Sequence, residues 1–166
     1  MNSRPETNCA WRTANGEGSP PTIYTRPVTS QRITEISWEA PHSTLRLRRP
    51  ARGLVVLVIS GTDVGEHGDE PFVELENDLR AGPFELFVDA RASRGVTIDV
   101  SGEWSRWLAK HKSSLRGVHM LTASRFVQLT ANFVKNFAEL GEAMRIYTEA
   151  AVFDAELSTA LERARR

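Results

Sequence analysis

The feature that most restricts the fold is a short, uninterrupted apolar run in the middle of the chain, GLVVLVIS, residues 53–60. A strand with apolar side chains on both of its faces needs cover on both sides, which is typical of a central strand. The run is far too short to cross a bilayer. The sequence therefore predicts a buried central strand around which the other elements pack.

The segments of the chain before and after this run show the patterns of further strands and helices. Residues 32–39, RITEISWE, and 43–49, STLRLRR, alternate in period two around a turn, which predicts an antiparallel hairpin. Later strands are predicted at 84–90, 117–123 and 144–148, with helical patterns between them. Such alternation favours parallel strands joined by helical crossovers. The sequence predicts one α/β domain with a mixed, mostly parallel β-sheet, an N-terminal β-hairpin and the order β-β-β-α-β-α-β-α-β-α.

Capping residues and apolar stripes define the predicted helices. Asp69 is predicted to cap a helix over residues 71–80, which Gly82 and Pro83 end. Ser124 is predicted to cap the third helix. The buried stripe of that third helix is expected to consist of Phe126, Leu129, Phe133, Phe137 and Leu140.

Residues 1–30 differ from the rest in composition. They are polar and interrupted by prolines and glycines, which predicts a disordered tail ahead of a domain over residues 31–166. No signal peptide or membrane span is recognisable, and Cys9, the single cysteine, excludes an intrachain disulfide. The 21 basic and 21 acidic side chains balance, which argues against a nucleic-acid binder. We expect a cytoplasmic protein that binds neither membrane nor nucleic acid.

Residues 96–107, VTIDVSGEWSRW, place an aspartate, a serine and a glycine before two tryptophans. Asp99 or Ser101 can cap the helix that carries the tryptophans, because both side chains accept hydrogen bonds from free amides. A nucleophilic Ser101 would need a base, and no Gly-x-Ser-x-Gly motif is present. We therefore interpret Ser101 as part of a helix cap. The helical spacing of Trp104 and Trp107 favours core positions.

The element order and the segment TIDVSGEW, residues 97–104, resemble the STAS fold, in particular the SpoIIAA-like group that includes anti-sigma-factor antagonists. In that family an Asp-Ser-Ser/Thr-Gly signature follows a central strand, and the serine after the aspartate is phosphorylated. Asp99, Ser101 and Gly102 match this signature, whereas Val100 takes the phospho-acceptor position and has no hydroxyl. The resemblance implies a non-catalytic regulatory or binding module. A phosphate on Ser101, one position after the family's phospho-acceptor, is the alternative to the helix-cap interpretation of this serine.

The leading hypothesis is a module that binds a protein partner and is not an enzyme, with no cofactor and no metal. Its motivation is the resemblance together with the lack of an assembled catalytic motif. The residues predicted to form the contact face are Asp89, Asp99, Ser101, Gly102 and Trp104.

The alternative is a small-ligand or nucleotide-binding Rossmann-like protein, which could be an enzyme. Residues 60–70 and Asp89 would then line a crevice at the carboxyl ends of the strands. The glycines of this loop depart from Gly-x-Gly-x2-Gly, and its acidic side chains would repel a pyrophosphate. The same loop offers a candidate cation site at Asp63, Glu66, His67 and Asp69. Elsewhere, His119 is predicted to be a hydrogen-bonded core histidine.

Overall fold

The computed structural model describes residues 34–166, which form a six-stranded sheet and four α-helices. The strands are β1 (Thr34–Glu39), β2 (Ser43–Ala51), β3 (Leu54–Asp63), β4 (Phe84–Val96), β5 (Leu115–Thr122) and β6 (Met144–Tyr147). The helices are α1 (Glu70–Ala81), α2 (Ile98–His111), α3 (Arg125–Phe137) and α4 (Ala150–Ala164). The tail predicted at residues 1–30, with Cys9, lies outside the described residues.

The strands lie side by side in the order in which they occur along the chain. β1, β2 and β3 pair antiparallel, and β3 to β6 pair parallel. In the hairpin Trp38 is opposite Leu45 and Ile36 is opposite Leu47, so their apolar side chains share one face of the sheet. The predicted α/β class, mixed sheet and element order are confirmed.

The helices cover the two faces of the sheet unequally. α1, α2 and α3 each join neighbouring parallel strands, and right-handed crossovers that advance in one direction put their helices on one side. The larger core cluster lies there and contains Leu57, Leu86, Leu75, Leu108 and Val134. α4 follows the last strand and is not a crossover. It covers the other face, where the smaller cluster contains Val56, Phe87, Leu121, Phe153 and Ala160.

β4 is longer than its sequence pattern predicts. It runs through the expected loop to Val96 and stays paired with β3, with Thr62 opposite Gly95. Gly61 permits this extension, because its φ is +80° and a Cβ atom there would collide with the carbonyl oxygen of His42. The backbone N–H of Thr62 donates to that same oxygen at 2.8 Å. The paired ends of β3 and β4 therefore continue the sheet up to Val96, two residues before α2 begins.

The helix limits agree with the predictions in part. Ser124 caps α3, since its Oγ accepts a hydrogen bond from the Val127 N–H at 3.4 Å, and Gly82 ends α1. Asp69 occupies the cap position of α1, but its side chain makes no capping hydrogen bond. Its backbone is already helical, whereas a capping side chain needs an extended residue to reach the free amides. The prediction that the Asp69 side chain caps α1 is therefore wrong.

Arg49 fastens β2 to α1. Its Nε donates to Oδ1 of Asp78 at 2.7 Å, and its Nη2 donates to Oε2 of Glu74 at 2.8 Å. All three side chains are largely buried. Burial by itself would lower the pKa of the Arg49 guanidinium, but its hydrogen bonds to Asp78 and Glu74 outweigh this effect and raise that pKa. None of the helices in the described part of the chain has the length and apolar character that a membrane crossing requires.

Candidate functional site

The start of α2 lies at the carboxyl edge of the sheet, where most of the predicted contact residues were placed. Thr97 is the cap: its backbone is extended, and its Oγ1 accepts from the Val100 N–H at 3.5 Å. Asp99 is exposed in the first turn, where its charge suits the positive end of the helix. The prediction that Asp99 or Ser101 caps this helix is wrong, because the helix already begins at Ile98, so that both residues lie inside it and Thr97 occupies the cap position.

Ser101 is buried inside the first turns of α2. Its exposed fraction is 5%, and its Oγ donates to the backbone oxygen of Thr97 at 2.8 Å. Ser105 repeats the pattern one turn later by donating to the backbone oxygen of Ser101 at 2.7 Å. Within residues 34–166 the Ser101 hydroxyl bonds to a backbone carbonyl and to no side chain that could act as a base. The geometry therefore gives no support to a nucleophilic Ser101.

Gly102 and Trp104 follow Ser101 on α2, and both are half-buried. The Trp104 ring packs against Phe72 of α1 at a centroid distance of 4.7 Å and against Trp107 at 6.3 Å. Trp107 is buried in the larger core cluster. The interpretation of the tryptophans as core residues is confirmed for Trp107, and Trp104 lies at the edge of the same cluster.

Asp89 is separated from the other predicted contact residues by the sheet. Its neighbour Val88 belongs to the cluster under α2 and α3, so Asp89 points to the α4 face. There its Oδ1 accepts from Nε of Arg91 at 2.9 Å, and Arg91 also donates to Asp154 of α4 at 2.7 Å. The five predicted residues therefore do not form one continuous face. Asp99, Ser101, Gly102 and Trp104 share α2, and Asp89 lies on the opposite side.

A cavity of about 80 Å³ lies between the sheet and helices α2 and α3. Its inner wall is apolar and includes Leu86, Val118, Leu108, Val134 and Met144. Polar side chains line it near the carboxyl ends of β3 and β4 and on the adjoining helices; they are Asp63, Ser93, Ser101 and Thr130. Sequence reasoning did not find this cavity, since no local pattern signals a gap between packed elements.

α3 turns a row of large apolar side chains to solvent. The exposed fractions are 59% for Phe126, 70% for Leu129, 56% for Phe133 and 58% for Phe137. The side chains that face the sheet are smaller and are Val127, Ala131 and Val134. The predicted buried stripe of this helix is therefore wrong for these four residues, although Leu140, just after the helix, is buried. We call Phe126, Leu129, Phe133 and Phe137 the α3 stripe.

His119 forms the centre of a buried polar group on the α4 face. Its Nδ1 is 2.9 Å from the Tyr147 hydroxyl and its Nε2 is 2.9 Å from Oε1 of Glu85. Burial lowers the pKa of His119, although Glu85 opposes this effect, and the ring stacks on Phe87 at 4.4 Å. The prediction of a hydrogen-bonded core histidine is confirmed. Its partners come from different strands, so the sequence could not pair them.

This group also has the composition of a metal site. One ligand atom each from Glu85, His119 and Glu156 lies within 4.8 Å of the others. The guanidinium of Arg163 already lies 3.3 Å from Glu85 and 3.8 Å from Glu156. The two carboxylates therefore share one cationic partner within the chain, which offsets one of their two negative charges.

The loop after β3 directs its polar side chains to separate partners. Glu66 accepts from the His42 ring at 2.9 Å, and His42 lowers the pKa of Glu66. Nε2 of His67 is 2.9 Å from the Ser43 hydroxyl. These contacts tie the loop to the β1–β2 turn instead of gathering the candidate cation ligands around one point. The strand order also has no reversal among the described strands, so it offers no switch point for a dinucleotide.

Comparison with known proteins identifies the fold. No protein-family model matches the chain, and no curated protein matches it. An uncharacterized protein of the DUF3478 family with a SpoIIAA-like fold, from Shewanella loihica PV-4, is similar with a TM-score of 0.50 and 11% identity over 75% of this chain and 93% of that one. The anti-sigma factor antagonist SpoIIAA in its unphosphorylated form gives a TM-score of 0.44 and 18% identity over 69% and 96% of the two chains. The six-stranded mixed sheet and its four helices thus form a SpoIIAA-like α/β fold.

Proposed function

We propose that the chain is a non-catalytic protein-binding module that docks its partner on the α3 stripe. The observation that carries this proposal is the exposure of four large apolar side chains on one face of α3. They recur at helical spacing, so a partner can contact them together. The resemblance of the element order and of residues 97–104 to the SpoIIAA-like group implies the same class of function.

The size of the α3 stripe supports a binding surface. A buried phenylalanine covers roughly 200 Å², so exposed fractions of 59, 56 and 58% leave about 350 Å² on three rings before Leu129 is added. Monomeric proteins seldom expose a contiguous apolar patch beyond a few hundred Å². One side of a standard protein interface covers about 800 Å². The α3 stripe therefore suits the apolar centre of a contact that polar residues complete.

The charge of α3 suggests the chemistry of the partner. The helix carries Arg125 and Lys135 and no acidic residue. A partner with carboxylates beside its apolar residues would gain complementary charge here. We therefore commit to an amphipathic helix with acidic flanks, which packs its apolar face along the α3 stripe.

The buried serine of α2 supports the non-catalytic part of the proposal. The Ser101 hydroxyl is committed to the backbone oxygen of Thr97 and has no basic partner within residues 34–166. Phosphorylation at Ser101 would require the first turn of α2 to open. Of the predicted contact residues, Asp99 is the most accessible and remains a predicted contact.

The test compares variants of the full chain as baits for proteins of its native cell. Leu129→Asp with Phe133→Asp places charges on the α3 stripe, and Val152→Asp is the matched control, because Val152 is 50% exposed on α4 across the sheet. We expect the double variant to fold with an unchanged melting temperature and to lose the partner, while Val152→Asp retains it. Cross-linking must then locate an amphipathic, acidic-flanked helix of the partner on α3.

Two results would overturn this proposal. Equal recovery of every bound protein by all three baits would show that the α3 stripe takes no part in binding. Loss of binding to vesicles of anionic lipid in the double variant, without loss of any protein, would assign the stripe to a membrane surface instead.

A further inference from the structure

Three side chains with metal-ligand atoms meet where α4 packs against the sheet. Glu85 comes from β4, His119 from β5 and Glu156 from α4, and one ligand atom of each lies within 4.8 Å of the others. Nε2 of His119 is 2.9 Å from Oε1 of Glu85. Two atoms that bind one Zn²⁺ at about 2.0–2.2 Å lie roughly 3 Å apart, so this pair already has the spacing of two ligands. A rotation of the half-buried Glu156 side chain brings the third ligand to the same point.

The second ring nitrogen of His119 has the partner that a metal-bound imidazole needs. Its Nδ1 is 2.9 Å from the Tyr147 hydroxyl, which can donate or accept. The hydroxyl therefore also suits the tautomer that carries its proton on Nδ1 and leaves Nε2 free for a metal. Such outer hydrogen bonds fix the orientation of metal-binding histidines. Because the ring is only 6% exposed and stacks on Phe87, it is held in place before any ion binds.

A polar cavity of about 260 Å³ adjoins the three ligands, and all three line it. Gly117 keeps the space beside the ring of His119 free, because a Cβ atom at Gly117 would lie 3.3 Å from Nε2. A metal ion with three protein ligands completes its coordination with water. The cavity supplies the room for that water.

Arg163 is a replaceable partner of the two carboxylates. Its guanidinium lies 3.3 Å from Glu85 and 3.8 Å from Glu156, whereas a strong charge-assisted hydrogen bond measures about 2.7–2.9 Å. The Arg163 side chain is 55% exposed, so it can turn into solvent when a divalent ion takes its place. Arg116 and Arg145 also line the cavity, but both are exposed and solvent screens their charges.

We propose that Glu85, His119 and Glu156 bind a divalent transition-metal ion, with Zn²⁺ as the best match to one imidazole and two carboxylates. The ion replaces Arg163 as the partner of the carboxylates and links α4 to β4 and β5. The site lies on the α4 face of the sheet, away from the α3 stripe, so it does not depend on the proposed docking function.

The test titrates the untagged full chain with Zn²⁺ by calorimetry and with paramagnetic Co²⁺ by NMR of the histidine rings. Cys9→Ser is the background of all samples, because the single thiol could also bind these ions. We expect one equivalent of Zn²⁺ to bind with a Kd below about 100 µM, and Co²⁺ to broaden His119 before the other histidines. A weaker Kd, or earlier broadening of another histidine, would overturn the proposal.

Three variants separate ligation from general electrostatic attraction. Glu156→Gln removes a ligand charge and is expected to raise the Kd for Zn²⁺ at least about tenfold. Glu142→Gln is the matched control, since Glu142 lines the same cavity but is not one of the three ligands, and its Kd should stay within about twofold of the background chain. Arg163→Gln removes the competing cation and should lower the Kd about fivefold. All three side chains are exposed or half-buried, so the variants should fold, which thermal melts check.

Two results with these variants would refute the site. Equal Kd values for Glu156→Gln and Glu142→Gln would show that charge alone attracts the ion. Weaker binding by Arg163→Gln than by the background chain would show that Arg163 does not compete with the metal.

Discussion

Replacement of Ser101 tests directly whether the start of α2 is a structural helix turn or a phosphorylation site. Ser101→Ala removes the hydrogen bond to the Thr97 oxygen, which accepts the Ser101 N–H at 3.0 Å in any case. The loss of a hydroxyl hydrogen bond costs about 0.5–1.5 kcal/mol, and alanine returns about 0.5 kcal/mol of helix propensity. We therefore expect Ser101→Ala to change the free energy of unfolding by less than about 1 kcal/mol.

Ser101→Asp has a much larger expected effect. It places a carboxylate at a position that is 5% exposed and that lines the same cavity as the Asp63 carboxylate. Burial of an unpaired ion costs several kcal/mol even after relaxation, so we expect a loss of about 3 kcal/mol or more. For a domain of this size that loss lowers Tm by about 10 °C.

The assay is urea unfolding followed by circular dichroism, with thermal melts as a second measurement. Asp99→Asn is the matched control, because Asp99 lies on the exposed side of the same turn and its replacement costs only about 0.3–1 kcal/mol of helix-dipole interaction. If Ser101→Asp unfolds within 1 kcal/mol of the parent chain, the side chain reaches solvent. In that case the reasoning fails and a phospho-switch at Ser101 becomes tenable again.

Four further predictions follow from other contacts. Phe153→Ala removes the ring that anchors α4 against Phe87 and Tyr147 and should cost about 3–5 kcal/mol in urea unfolding; a cost below 1 kcal/mol would show that α4 is held otherwise. Arg49→Ala leaves the Asp78 and Glu74 carboxylates without their cation and should lower the free energy of unfolding by about 2 kcal/mol. An unchanged urea midpoint would show that the ion pairs of Arg49 do not stabilise the contact of β2 with α1. Gly61→Ala should lower Tm sharply, because of the positive φ and the collision with the His42 oxygen; a melt like that of the parent chain would contradict it. Burial lowers the pKa of His119 below 6.5, so on acidification the unfolded chain binds a proton at a higher pH than the folded chain, and the free energy of unfolding should fall as pH drops from 6.5 towards the folded-state pKa. His119→Asn should reduce this dependence of stability on pH. An equal dependence in the parent chain and the variant would assign it to another titratable group.

The sequence alone was sufficient for the element order and the sheet. The hairpin follows from the alternation in residues 32–49, and the central strand follows from the apolar run at 53–60. These signals are local. Apolar residues recur with different periods in strands and in helices. Gly82 ends α1 through its own backbone conformation, and Ser124 starts α3 through a hydrogen bond to its side chain. Because consecutive elements are joined by short connections, the order also determines which strands become neighbours.

The tertiary structure decided which residues gather at the site. α3 has apolar side chains on two faces, and local periodicity does not tell which of them packs against the sheet. Close packing placed the face with the smaller side chains, such as Ala131, against the sheet and left the face with the larger ones, such as Phe133, exposed to solvent. The pairing of β4 with β3 continues to Val96 and α2 begins at Ile98, so Asp99 and Ser101 lie inside the helix and not at its cap. The alternation of side chains along β4 places Asp89 on the opposite face of the sheet. The burial of Asp63 beside an apolar cavity likewise depends on contacts between elements distant in the chain. Such contacts leave no periodic trace in the sequence, because each residue's environment is set by the elements that pack against it and not by its neighbours along the chain.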